Sequence, residues 1–179
     1  MIEAAAVPDT TETGEVIRRL QFYGRNRAPF ELRDSEVLLS GPAGTGKTMA
    51  LLTKLFLAAE KYPRMRGLIV RKTRVSLNEA ALVTWEEKIL PPSHPALIGP
   101  TRSHRTSYQF DNGSIIVVGG IDKAQKIMST EYDLIYVQEA IELTEHDWES
   151  LTTRLRNRRM PYQQIFADTN PDRPTHWLK

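Results

Sequence analysis

Val37-Leu38-Leu39-Ser40-Gly41-Pro42-Ala43-Gly44-Thr45-Gly46-Lys47-Thr48 decides the fold of this chain. An apolar run reads as a buried strand, G-x-x-x-x-G-K-T follows it, and the residues after Thr48 read as a helix. A strand, a glycine-rich turn and a helix N-terminus together form a phosphate cradle. Gly41, Gly44 and Gly46 permit backbone conformations that let successive N–H groups converge on an anion, with Pro42, Ala43 and Thr45 completing the loop. Lys47 reaches the β- and γ-phosphates, and the Thr48 hydroxyl holds a Mg²⁺ ion bridging them. The reading is of a nucleoside triphosphate site, with ATP as substrate and Mg²⁺ as cofactor.

Working outward, the apolar pattern orders the elements. Glu15 to Tyr23 has near-helical spacing and predicts a short amphipathic helix. The first strand is Glu36 to Ser40. The P-loop helix runs from Lys47 to Tyr62, where Pro63 stops it. Gly67 to Lys72 is the second strand. Ser76-Leu77-Asn78-Glu79 has capping-box spacing and predicts a helix to about Leu90. A hairpin is expected around Asn112-Gly113, joining Ser107–Phe110 to Ile115–Val118. Asp122 to Ser129 is a short helical connector, and Leu134 to Val137 a buried strand. Thr144 caps a helix to about Arg156, and Gln164 to Ala167 is the last strand. Alternating strands and helices predict an α/β fold, a mostly parallel sheet covered on both faces. This is a P-loop NTPase arrangement of the ASCE type, with the nucleotide at the C-terminal edge of the sheet.

The chain has 179 residues, 40 % of them apolar, and suits a single domain: a lead-in over residues 1–13, then a P-loop domain over 14–179. A net charge of +2 argues for neither nucleic acid nor membrane. With no cysteine, disulfides and thiolate zinc sites are excluded. No apolar stretch approaches the roughly 18 residues of a membrane span, and Met1 to Glu12 lacks the basic start and apolar core of a signal peptide.

Asp133-Leu134-Ile135-Tyr136-Val137-Gln138-Glu139-Ala140 is the second carrier of chemistry. An apolar strand ending in acid, downstream of a P-loop, reads as a Walker B element. The first of its two functional places helps hold Mg²⁺; the second polarises the attacking water. Here these places hold Gln138 and Glu139. A neutral amide brings a hydrogen bond to metal-bound water but no charge, so metal holding falls on Thr48, the phosphates and water. Glu139 becomes the candidate general base. The third carrier is Gln164 to Pro171. It ends in Thr169-Asn170-Pro171, either a common Asx or proline turn or a hydroxyl and amide that read the γ-phosphate. Local sequence favours neither.

Four segments, LRDSEVLLSGPAGTGKT, GLIVRKTRVSL, YDLIYVQEAIELTEHDWESLTTRLRN and FADTNPDRPTHWL, resemble in order and spacing the ATPase domain of a tailed-phage terminase large subunit. The resemblance runs from Phe22 to Lys179. It implies that Gly41 to Thr48 is Walker A, that Glu139 is the catalytic glutamate, that Thr169 and Asn170 lie in the coupling motif, and that Tyr23 to Asn26 lie near the adenine. Members of the family commonly carry a carboxylate where this chain has Gln138. The implied activity is ATP hydrolysis coupled to moving double-stranded DNA into a procapsid in the host bacterial cytoplasm. The implied partners are a portal protein, a small terminase subunit and further copies in a ring, although a fragment alone is compatible with a monomer. The nuclease domain that follows in the family is not in this chain, so no nuclease activity is expected. Such motors complete their site with a cation. Arg71, Lys126, Arg102 and Arg105 are candidates among which the sequence does not choose. The basic run Arg154, Arg156, Arg158 and Arg159 reads first as a solvated helix end.

Two other readings share the P-loop. One is a nucleotide-binding module without turnover, such as a prophage remnant, which Gln138 makes conceivable. The other is a small-molecule kinase, which needs an acceptor pocket and usually an arginine-bearing lid that the sequence does not display. Trp85 and Trp148 are expected in the core. Trp177 is left unplaced, with partners either within the chain or in parts outside it.

Overall fold

The computed structural model describes residues 9–10, 16–17, 21–171 and 176–178. Six strands form one sheet: β1 (Glu36–Ser40), β2 (Arg66–Arg71), β3 (Ser107–Gln109), β4 (Ile115–Gly120), β5 (Leu134–Val137) and β6 (Gln164–Thr169). Their order across the sheet is β1-β6-β5-β2-β4-β3. Every pairing is parallel except the β3–β4 hairpin at the edge. All residues of β5 and β6 are buried. That is why LIYV and QIFADT read as continuous rather than alternating runs: both faces of a central parallel strand are covered.

The first cover is α1 (Lys47–Lys61), whose Ala50, Leu51, Leu52, Leu55, Ala58 and Ala59 are buried. Alanine and leucine are strong helix formers, and the chain leaves the helix at Tyr62, just before Pro63. Leu51 and Leu55 pack with Tyr136 and Phe166 from one sheet face. On the same face lie α2 (Arg74–Glu79) and α3 (Ala81–Thr84), the latter continuing as a π-helical turn over Trp85–Ile89. Trp85 is fully buried there, 5.8 Å from Tyr108 and 6.3 Å from Phe56 between ring centres. The opposite face is covered by α4 (Ala124–Met128) and α5 (Glu145–Thr152), which pack Ile127, Trp148 and Leu151 against Ile135, Val137 and Ile165.

Three expectations are corrected. Val16–Ile17 is not helical. It pairs antiparallel with Asp9–Thr10, its β-branched residues favouring extended backbone, and Tyr23 precedes a 3₁₀ turn over Gly24–Arg27. Apart from Asp9–Thr10, the expected lead-in lies outside the described residues. The helix expected to open at Ser76 opens at Arg74, because the Thr73 hydroxyl already accepts from the Ser76 N–H, and the chain breaks again at Ala80 (φ −123°, ψ −83°). The helix expected to reach Arg156 ends at Thr152; its start is as read, with Thr144 and Asp147 forming a reciprocal capping box. Trp177, unplaced from sequence, has partners within the chain: its Nε1 donates to the Leu143 carbonyl at 2.8 Å, and its ring lies 5.8 Å from that of Trp148.

One buried cation makes stability depend on pH. Lys54 of α1 is 4 % exposed. Its Nζ donates to Gln164 Oε1 and lies 5.2 Å from the centre of the Phe166 ring. Burial, then repulsion from Arg33, lowers its pKa from 10.5 to about 8. Between those two values the native chain releases a proton that the unfolded chain still holds. The unfolded state therefore binds more protons, and stability rises with pH across the window. Denaturant midpoints measured across it should rise in the wild type relative to Lys54→Met.

Candidate active site

The C-terminal ends of β1, β6 and β5 bring the site together. After β1 the loop turns through Gly44 (φ +75°) and Gly46 (φ +83°), left-handed conformations that favour glycine. Lys47 Nζ donates to the carbonyl oxygens of Gly41 and Pro42, both at 2.7 Å, and to Asn170 Oδ1 at 3.3 Å. One strand-end amide thus meets the P-loop ammonium across 123 positions of sequence. A cavity of about 360 Å³ opens here, lined by the loop from Ala43 to Met49 and by Thr84, Lys88, Glu139, Asp168 and Asn170.

Glu139 stands at the end of β5 with φ +51° and ψ +60°, a left-handed conformation uncommon outside glycine and often found at functional sites. Its backbone N–H donates to Asp168 Oδ1 at 3.0 Å, which fixes it. Its carboxyl pKa is raised, first by partial burial and then by the Asp168 carboxylate, while Arg71 opposes the shift. Arg71 is held away from a free role by a bidentate pair with Glu142, at 2.9 and 2.5 Å. Its hydrogen bonds to Glu142 strengthen the charge and outweigh the opposing effect of burial, so its pKa is raised.

The other residues singled out from sequence are distributed as follows around this cavity. Asn26 Nδ2 donates to the Thr45 carbonyl at 2.6 Å. Tyr23, which is 69 % exposed, lines with Asn26 a second cavity of about 560 Å³ beside Gly41, Pro42 and Thr45. Thr169 is buried and does not line the smaller cavity; its carbonyl accepts from the Gly41 N–H at 3.2 Å. Gln138 is likewise buried and off the cavity wall, and its Oε1 has no hydrogen-bond partner. Of the other candidate cations, Arg102 pairs with Glu86 and Glu87, and Arg105 is buried against the carbonyls of Ala96 to Ile98. Neither lines the smaller cavity. The side chain of Lys126 lies outside the described residues.

Three residues of the site were not singled out from sequence. Thr84 and Lys88, one helical turn apart, line the cavity because α3 and its π-helical turn pack against α1. Asp168 is the most consequential. It is 2 % exposed and accepts from Thr48 Oγ1 at 2.5 Å, from Tyr136 Oη at 2.8 Å and from the Glu139 N–H. Its signal was present: an acid inside an otherwise apolar strand is almost never buried without partners.

The model of the family described as phage terminase large subunit matches residues 33–179. The chain belongs to that family. Solved terminases carry the same fold. The large terminase of a thermophilic bacteriophage superposes with a TM-score of 0.67 at 15 % identity, covering 84 % of this chain and 37 % of that one. The same phage's enzyme in complex with ADP gives 0.64 at 16 % identity, over 84 % and 37 %. The ATPase domain of the Thermus phage P74-26 large terminase gives 0.64 at 16 % identity, over 85 % and 66 %. The chain thus spans well under half the length of the first of these terminases. None of the curated proteins matches the sequence. Among the described residues no helix is long and apolar enough to cross a membrane.

Proposed function

We propose that this terminase chain is an ATP-hydrolysing motor domain that couples turnover to moving double-stranded DNA into a procapsid. The observation that carries the reading is the convergence of Lys47, Thr48, Glu139 and Asn170 on one cavity at the sheet edge. Lys47 and the loop N–H groups bind the phosphates. Glu139, half-buried and with a raised pKa, accepts a proton from the attacking water. Asn170, in contact with Lys47, registers the loss of the γ-phosphate and passes it along β6. Tyr23 and Asn26 border the base, and Arg71 senses phosphate once Glu142 releases it.

The residues present suit Mg²⁺. The Thr48 hydroxyl gives its one proton to Asp168, so its lone pairs remain for a hard cation that prefers oxygen ligands. When bound, Mg²⁺ neutralises charge on the phosphates. The domain would span residues 14–179. It would work as a ring on a portal with a small terminase subunit and a nuclease domain contributed from outside this segment. A localisation in the host cytoplasm follows from that assignment.

The test is phosphate release from ATP by the isolated domain with no acceptor present. Slow but Mg²⁺-dependent release is expected, because neighbouring subunits are absent. Nucleotide binding without any release would favour the binding-module reading, whose one structural argument is the uncharged Gln138. Release only when an acceptor is added would favour a kinase.

A further inference from the structure

We propose that Asp168 supplies the carboxylate charge of the Mg²⁺ site, from the strand beside the P-loop strand rather than from the end of β5. β6 lies between β1 and β5, with Asp168 in register with Leu39 of β1. Parallel neighbours lie about 4.8 Å apart, so β6 is one spacing from the P-loop strand and β5 is two. Asp168 is therefore the acid that meets Thr48, and it does so at 2.5 Å. Gln138, at the more distant strand end, has no charge and leaves its Oε1 unpartnered.

The environment of Asp168 is built for an anion. A carboxylate offers about four acceptor sites. Thr48 and Tyr136 fill Oδ2 and the Glu139 N–H fills one site on Oδ1. One site on Oδ1 remains, on a residue that lines the nucleotide cavity. All three donors belong to residues at the nucleotide edge of the sheet. An acid needed only to hold the fold together would be served equally well by donors anywhere. Mg²⁺ usually binds through one or two protein carboxylates plus phosphates and water. This fits the described residues, among which no cluster of three or more acidic, histidine or cysteine ligands occurs. Asp168 thus acts on the metal through Thr48 and metal-bound water, and also positions Glu139 through its backbone.

This inference rests on the nucleotide-site reading above, and its test separates the two. The probes are ADP without metal, followed by Mn²⁺ titrated into the ADP complex and read by electron paramagnetic resonance. Asp168→Asn is expected to bind metal-free ADP within about threefold of wild type, while Mn²⁺ affinity falls roughly 10–100-fold, as for loss of other groups that support a metal ligand. Gln138→Asp alone, which leaves Asp168 and its contacts in place, should tighten Mn²⁺ by less than about threefold, because the site already has its charge. An unchanged Mn²⁺ affinity in Asp168→Asn would overturn the proposal. So would an equal loss of metal-free ADP, which marks a purely structural role. Tenfold tightening in Gln138→Asp alone would overturn it too, even if Asp168→Asn fails to fold. A wild type that binds no ADP would sink both readings.

Discussion

Glu139→Gln is expected to reduce ATP turnover by roughly 10²- to 10⁴-fold, the usual contribution of a positioned general base, while nucleotide affinity stays near that of wild type. The substitution keeps the side-chain shape, and Glu139 lines the cavity from the end of β5 rather than from the phosphate-binding loop. Its backbone bond to Asp168 is also untouched. Stability gives a control with a definite sign. Burial and Asp168 raise the folded pKa of Glu139, so the native state binds protons more readily than the unfolded chain just above the ordinary glutamate range. The charged side chain therefore works against the fold at neutral pH. Gln removes that charge, so Tm should stay level or rise, and lost turnover cannot then be laid to unfolding. The wild-type acid limb of kcat should fall above the ordinary glutamate range. Arg71→Gln should move it further up, because Arg71 lowers this pKa. Wild-type turnover in Glu139→Gln, or an acid limb unmoved by Arg71→Gln, would remove Glu139 from the role of base.

The sequence carried most of the fold because the central strands and α1 are dictated locally. VLLS, LIYV and QIFA are apolar runs ended by polar residues. The glycine loop joins the first of them to an Ala/Leu helix, and that pattern has one common outcome. What sequence did not reveal was the order of strands. Nothing in QIFADT says that β6 inserts between β1 and β5, and that insertion alone brings Asp168 to Thr48 and Asn170 to Lys47. Thr84 and Lys88 were hidden for a related reason, since their helix must first pack against α1 before its side chains line the cavity. Local signals also competed. Ser76-x-x-Glu79 has the spacing of a cap, but Thr73 three residues earlier is the first hydroxyl after β2 and takes the role. Val16 and Ile17 fit a helical stripe, yet β-branching suits them to the strand they form.

Asp133→Ala is expected to be the most destabilising single change at the end of the sheet away from the nucleotide. Asp133 is fully buried. Its carboxylate accepts from the backbone N–H groups of Arg66 (3.0 Å), Arg159 (2.8 Å) and Met160 (3.2 Å) and from Asn157 Nδ2 at 2.6 Å. Arg158 takes φ +57°, which turns the chain so that the next two N–H groups face the same oxygen, as in an anion-binding nest. One side chain thus ties the start of β2 to the segment leading into β6, while its own backbone donates to the Arg66 carbonyl and accepts from Gln164. Alanine strands these donors. Each buried group left unpaired costs about 1–3 kcal/mol, so a total of about 3–5 kcal/mol is expected after relaxation, a large share of the 5–15 kcal/mol typical of a domain. In a domain of this size Tm should fall by about 6–20 °C. Asp133→Asn keeps one acceptor and should lose less. Because β5 separates Asp133 from Glu139, nucleotide affinity measured well below the lowered Tm should match wild type. A Tm loss of only a few degrees in Asp133→Ala would mean that water or neighbouring carbonyls take over these donors. A loss of nucleotide affinity in the folded variant would mean that the two ends of β5 are coupled.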